Sequence, residues 1–409
     1  MTGNIPVRSV FLPFSRPTIG QAEIDEVADS LRSGWLTTGP KVVRFENEFL
    51  QWIGNKEAIA VNSATAGLHL AVAILDLAPG DEVITTSITW PSTVNNIELC
   101  GARPVFADVD LETLQINPAG VERHLSSRTR AVIPVHFAGA PCDLDPIKEI
   151  CRAKGLSLIE GAAHAVGTVY RGRLVGSDSE FAVFSFHPIK NMTTGEGGMV
   201  LCNDQERAKR MRRLRFHGIS RDAWKRYSKG GVPQYEVEEP GYKYNMLDLQ
   251  AAIGIHQLAR LQEFNQRRAE LAENYHRLLA EIPEIRPLGQ VPYPHHHAWH
   301  LYVVRLEIEA LTIDRDQFLA ALQDENIGTG LHFPAIHLQR FYREKYGYRP
   351  GVLPNAEWNS ERLFSLPLYP LLEEKDQEDV AEALKRIIKG IEGRDKRSMG
   401  VLYSPVGRQ

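Results

Sequence analysis

The sequence predicts an α/β chain, with a large unit built on a mostly parallel sheet flanked by helices and a smaller α/β unit behind it. Two observations carry that expectation. From about residue 57, short β-type runs alternate with helical ones, which is the rhythm of strand–helix–strand units. A long helical segment rich in Leu, Ala, Gln, Arg and Glu, from Met246 to Ala280, then ends the first region, and a second, shorter alternation follows it. The boundary falls near residues 265 to 285, which divides the chain into residues 1–275, residues 276–392 and a loose tail over 393–409, where the helical pattern is lost.

The elements follow in order. "EAIAVN" reads as a strand leading into the helix "TAGLHLAVAIL". "DEVITTSITW" (81–90) is a strand, followed by a helical stretch and the strand "RPVFADVD" (103–110). "TRAVIPVHF" (129–137) precedes a helix around "LDPIKEICRAKG" and the strand "LSLIE" (156–160). "FAVFSF" (181–186), rich in Phe and Val, reads as a buried strand, and a glycine-rich return leads from it into "GMVLC" (198–202). In the smaller unit, "AWHLYVVRLE" (298–307) is a strand and "TIDRDQFLAALQDENIG" (312–328) a helix capped near its start by Asp314. "KDQEDVAEALKRIIKGIEG" closes the unit as a helix.

Composition narrows the function classes. The 409 residues are 43% hydrophobic and 24% charged, ordinary values for a globular protein, and the formal net charge of −4 gives no case for nucleic acid as a partner. Cys100, Cys142, Cys151 and Cys202 are scattered and form no CxxC pair, which fits a reducing, cytoplasmic setting and argues against a zinc site or a disulfide framework. The N-terminal stretch shows no signal-peptide pattern. The most apolar helix candidate, "GLHLAVAILDLAPG" (67–80), carries His69 and Asp76 and is too short to span a bilayer, so no membrane association is expected.

In a parallel sheet, ligands bind beyond the carboxyl ends of the strands, so the residues just after strands matter most. "NSATAGLH" (62–69) has the small residues and helix start that suit an anion, though on this stretch alone a plain Ser/Thr helix cap is favoured; it is neither a Walker motif nor a dinucleotide fingerprint. Trp90 ends "SITW", where it could stack on a flat ring or simply fill the core. Glu160, Gly161 and His164 follow another strand and suit proton handling or a structural role. The histidines of "YPHHHAWH" (293–300) lack an acid or thiol at ligand spacing, so no metal site is expected there. Lys190, in "FSFHPIKNMTTGEGG" (184–198), is a charged amine at the end of a buried strand, costly unless it is exposed, paired or used in chemistry. A lysine, an anion nest, a tryptophan and proton-handling groups along one sheet edge are together what pyridoxal phosphate needs.

With these stretches in view, the chain resembles the DegT/StrS-type sugar aminotransferases, pyridoxal-phosphate enzymes of the fold-type I, aspartate-aminotransferase-like class. The likeness runs from "FLPFSRPTIG" (11–20) to about Gly390 and rests on "SGWLTTGP" (33–40), "NSATAGLHLA", "PVHFAGAPCDLD" (134–145), "FSFHPIKNMTTGEGG", "GYKYNMLDLQAAIG" (241–254), "HAWHLY" (297–302) and "IGTGLHF" (327–333). Within that family it is similar to the branch that makes UDP-4-amino-4-deoxy-L-arabinose from the 4-keto sugar with glutamate as amino donor. The resemblance implies that Lys190 is catalytic and holds the cofactor covalently. It implies that Thr65, Ala66 and Ser185 hold the cofactor phosphate with Asn245 of a second subunit, that Trp90 stacks on the pyridine ring and that His164 lies near the ring oxygen. Thr38, Gly39, Lys243 and His332 would line the sugar-nucleotide site. The implied partners are glutamate, a UDP- or dTDP-linked 4-keto sugar bound for lipopolysaccharide or related glycans, and a second copy of the chain in a homodimer with shared sites.

One position departs from the pattern. The family reads "IEDAAHA" where this chain has "IEGAAHA", so Gly161 occupies the slot of an aspartate that pairs with the pyridinium nitrogen. Glu160 is a poor substitute, because neighbouring strand residues point to opposite faces. That departure keeps open a sugar-nucleotide-binding or regulatory homologue with weakened turnover. A sugar dehydratase on the same fold is disfavoured, since those relatives carry a histidine where this chain keeps Lys190.

Overall fold

The computed structural model describes residues 5–219 and 235–400. Its strands are β1 (Glu57–Val61), β2 (Glu82–Thr86), β3 (Arg103–Ala107), β4 (Thr129–Ile133), β5 (Ser157–Gly161), β6 (Val169–Tyr170), β7 (Arg173–Leu174), β8 (Phe181–Ser185), β9 (Gly198–Cys202), β10 (Ile285–Pro287), β11 (His295–His296), β12 (Tyr302–Leu306) and β13 (Leu363–Leu366). Seven of them form the main sheet in the order β1-β9-β8-β5-β4-β2-β3. The pairs from β3 through β2, β4 and β5 to β8 are parallel, and β9 runs against both its neighbours, β8 and β1. The sheet is therefore mainly parallel, and the carboxyl ends of its parallel strands share one edge.

The central strands read as continuous apolar runs because both of their faces are covered. Alternate residues serve opposite sides. Ala182 and Phe184 of β8 pack with Phe45, Phe49 and Met199 on one face, while Phe181 and Val183 pack with Leu68, Val72 and Met211 on the other. Each such phenylalanine, removed from water, contributes about 1.5–3 kcal/mol. The smaller sheet, β10-β12-β13, is antiparallel and packs against the helices Leu261–Leu279, Arg315–Asp324 and Glu374–Gly400 around Tyr275, Phe318, Phe364 and Leu384. A third, three-stranded ribbon joins β11 to β6 and β7.

Three elements differ from the reading of the sequence. The helical segment from Met246 to Ala280 is two helices, Asp248–Ala259 and Leu261–Leu279, parted at Arg260, which leaves helical geometry at φ −102° and ψ 0°. No glycine or proline marks that break. The strand expected from residue 298 begins only at Tyr302, because Trp299 has a left-handed φ of 48° and Ala298 and Leu301 bond instead to the turn at Gly139 and Ala138. The closing helix continues to Gly400, so residues 393–400, expected to begin a loose tail, are helical; 401–409 lie outside the described residues. Asp314 caps its helix as expected, accepting from the Gln317 amide at 2.8 Å while Gln317 returns to the Asp314 amide.

Candidate active site

The hairpin of β8 and β9 brings the loop with Lys190 to the carboxyl edge of the sheet. Ser185, the last residue of β8, pairs with Gly198, and Gly198 pairs with Val61 at the end of β1. A Cβ on Gly198 would lie 2.7 Å from the Ala64 amide nitrogen and 2.8 Å from the Phe184 carbonyl oxygen, so only glycine lets the helix Ala64–Ala73 start this close to the strand ends. Ser63 caps that helix, its Oγ accepting from the Ala66 amide at 3.1 Å, so the plain cap exists. Beside it, the first amides of the helix have no acceptor within the helix, and the buried Ser185 stands across Gly198 from them. Thr65, Ala66 and Ser185 are thus grouped at one anion-ready corner.

Lys190 lies a few residues past Ser185, half-buried, with burial lowering its amine to about 7. Its Nζ is 3.2 Å from Nε2 of His300. The His300 ring lies 4.3 Å, centroid to centroid, from that of His164, and His164 is stacked on Phe333 at 5.8 Å. Nδ1 of His164 accepts from the Ala138 amide at 3.2 Å, which leaves its Nε2 to carry the proton of the neutral ring. His332 bonds Ser365 Oγ through Nδ1 at 2.9 Å. All three histidines are held neutral: burial pushes His164 and His300 well below the ordinary range and His332 to about 3, and the Lys190 charge acts in the same direction on each. A lysine amine able to be neutral near pH 7, ringed by uncharged imidazoles, is equipped to accept and return a proton.

The other expected residues fall around this centre in separate groups. Trp90 precedes the helix Pro91–Leu99, is 61% exposed, and lies 6.0 Å from Phe333, which links it to His164. Thr38, Gly39 and Asn245 form a cluster of their own. Asn245 Nδ2 donates to Thr38 Oγ1 at 2.7 Å, Thr38 donates to the Met246 carbonyl at 2.6 Å, and the Gly39 amide donates to Asp248 at 2.8 Å. Lys243 holds its ammonium 4.0 Å above the Phe216 ring. Among the described residues, no group of three or more His, Cys, Asp or Glu side chains is placed to hold a metal ion.

Glu160 and Gly161 separate as strand geometry requires. The Glu160 carboxylate is buried and engaged with Ser179 Oγ at 2.6 Å and His136 Nε2 at 3.3 Å. Gly161 keeps its backbone in the sheet, its amide donating to Pro134 at 2.8 Å and its carbonyl accepting from His136 at 3.1 Å. The sequence reading gave no role to His300, Phe333 or Asp248. His300 is the last but one residue before β12, and the unusual density of histidines in "HHHAWH" was its only signal.

These residues fit pyridoxal phosphate: a helix start that glycine at 198 lets approach the strand ends, a half-buried amine, and aromatic side chains beside it. Residues 17–385 match the model of the DegT/DnrJ/EryC1/StrS aminotransferase family. Among solved structures, the chain is similar to the aminotransferase TlmJ of Streptoalloteichus hindustanus, with 34% identity and a TM-score of 0.84 over 92% of this chain and 98% of that one. It is similar to PseC of Helicobacter pylori, an aminotransferase involved in pseudoaminic acid biosynthesis, with 28% identity and a TM-score of 0.86 over 93% of this chain and 100% of that one. It also matches Spr1654 of Streptococcus pneumoniae, solved in PLP and PMP forms; against the PMP form the identity is 31% and the TM-score 0.86 over 94% of this chain and 100% of that one. The chain belongs to the DegT/DnrJ/EryC1/StrS aminotransferase family and is a pyridoxal-phosphate-dependent sugar aminotransferase.

Proposed function

We propose that the protein moves an amino group from L-glutamate to the keto carbon of a sugar nucleotide, a UDP- or dTDP-linked 4-keto sugar, on the way to an amino sugar of lipopolysaccharide or a related glycan. The observation that supports this most is the Lys190 amine, lowered to about 7 by burial and surrounded by neutral histidines, since a transaminase must move one proton off the donor and later onto the acceptor. The similarity to a protein that serves sugar biosynthesis in Helicobacter pylori favours a sugar as acceptor.

The roles that the family resemblance implies complete this reading. Bound pyridoxal phosphate supplies an aldehyde that a lysine amine can hold and a ring that draws electron density from the carbon losing its proton. Lys190 holds the cofactor and carries the proton. Ser185 and the helix start at Thr65 and Ala66 hold the phosphate, completed by Asn245 of the second copy. Trp90 covers one face of the ring, and His164, with Nε2–H free to donate, serves the ring oxygen. Thr38, Gly39, Lys243 and His332 contact the sugar nucleotide. Gly161 supports the second reading, a homologue that binds sugar nucleotides with weakened turnover.

Purified protein loaded with the cofactor should lose its yellow colour on mixing with glutamate and regain it on addition of a 4-keto sugar nucleotide. Recovery with 3-keto sugars only would overturn the 4-keto assignment. No bleaching by glutamate would favour the binding homologue.

A further inference from the structure

His300 is 2% exposed, and its imidazole makes one hydrogen bond among the described residues, the 3.2 Å contact between Nε2 and Lys190 Nζ; Nδ1 is buried without a partner. The ring is fixed from several sides. His164 faces it at 4.3 Å. Behind it Arg268, 1% exposed, donates through Nη1 to the carbonyls of Trp299 at 3.3 Å, His300 at 3.2 Å and Leu368 at 3.0 Å. On either side, the amides of Ala298 and Leu301 bond to the Gly139 and Ala138 carbonyls.

We propose that His300 is a positioning residue for Lys190, its Nε2 accepting a hydrogen bond from the lysine ammonium and thereby setting the direction and proton affinity of that amine, with Arg268 locking the His300 backbone. An ammonium has three protons to donate and no acceptor, so a contact between charged Lys190 and His300 must run from Nζ to Nε2. Among the described residues, the groups whose charge reaches this centre are bases: His164 after β5, His187 before the lysine, His332 on the segment that follows the helix Arg315–Asp324, and Arg268 on the helix Leu261–Leu279. The acid Glu196 stands 3.8 Å from His187 and bears on that residue. Among the described residues the imidazole is thus the acceptor that a charged Lys190 has, and without it the neutral amine gains. The inference rests on the reading of Lys190 as the cofactor lysine.

The test uses full-length protein loaded with pyridoxal phosphate; borohydride fixation on Lys190 is confirmed on a separate aliquot, and the unreduced remainder is converted by glutamate to the form in which the lysine is free. Trace acetylation at a series of pH values, read by mass spectrometry on the Lys190 peptide, gives the midpoint of its titration. Wild type should titrate near 7. His300→Gln, whose amide oxygen reaches about as far as Nε2, should stay close to it. His300→Leu should fall by about one to two pH units, the loss of one hydrogen bond to a charged group. The acidic limb of the glutamate half-reaction should move with it while KM holds. If His300→Leu does not load cofactor, His300→Asn, whose amide stops short of Nζ, takes its place with the same expectation. A midpoint that does not fall in the Leu or Asn variant overturns the proposal, and so does an equal fall in His300→Gln, which would make the effect one of packing. Absence of borohydride-fixed cofactor on Lys190 in the wild type instead overturns the reading of Lys190 itself.

Discussion

Gly161 has the sheet hydrogen bonds of an ordinary strand end and no left-handed φ, so the backbone there accepts a side chain. A Cβ would stand 3.2 Å from the Pro134 carbonyl oxygen and 3.2 Å from Val135 Cγ2, so both the Val135 side chain and the backbone at Pro134 must give by a few tenths of an ångström to admit a side chain. Glu160 does not replace the missing acid, because its carboxylate is spent on Ser179 and His136. With glycine at 161, cofactor binding should persist through Lys190 and the phosphate corner, while the ring nitrogen loses a charge-assisted partner. Such a contact is worth about 1.5–3 kcal/mol, or about ten- to a hundredfold in rate when felt only in the transition state. Gly161→Asp should therefore speed the half-reaction with glutamate while KM changes little. An unchanged rate in stopped-flow measurements of a folded, cofactor-loaded Gly161→Asp protein would sink that account of the glycine.

At the scale of elements, what could be read in the sequence follows from how much a segment depends on distant neighbours. The strands of the main sheet declared themselves because burial on both faces makes each a short apolar run, and the Asp314 cap because its Gln317 partner lies three residues on. The breaks at Arg260 and Trp299 were hidden: no glycine or proline marks the first, and at the second the chain bends to bond with the distant turn at Ala138 and Gly139. The same bend delivers His300 to Lys190, a contact between residues 110 apart that the sequence did not reveal. Asp248 is another long-range device. Its carboxylate, at the start of one helix, accepts from the amides of Gly39 at 2.8 Å, Lys41 at 3.1 Å and Val42 at 3.0 Å at the start of another, Pro40–Ile53. Burial raises its pKa against the pull of those amides. Asp248→Ala should cost about 2–3 kcal/mol in denaturant unfolding, the value of hydrogen bonds to one charged group, and should raise KM for the sugar nucleotide by loosening Thr38 and Gly39. Full stability with unaltered KM would contradict this.

At the scale of the whole molecule, the helices Gln21–Ser33, Pro40–Ile53 and Asp248–Ala259 pack together and leave Ile24, Leu31, Val43 and Leu247 exposed on or beside them, as Trp90 is exposed beyond β2. Apolar side chains of this kind suit a second copy of the chain. The side chain of Asn245 bonds to Thr38 within its own chain, while its backbone bridges Val61 at the end of β1. Mixing Lys190→Ala subunits with Asn245→Ala subunits should restore part of the activity, because each heterodimer can hold one intact site. No recovery after proven subunit exchange would count against shared sites. No helix among the described residues is long and apolar enough to cross a membrane.

The account stands most directly on one lysine. Borohydride reduction of the yellow, cofactor-loaded protein, followed by peptide mapping, should place the reduced cofactor on the peptide containing Lys190, and Lys190→Ala should remain colourless and unlabelled. Label on any other lysine, or colour and transfer activity retained by Lys190→Ala, would contradict it.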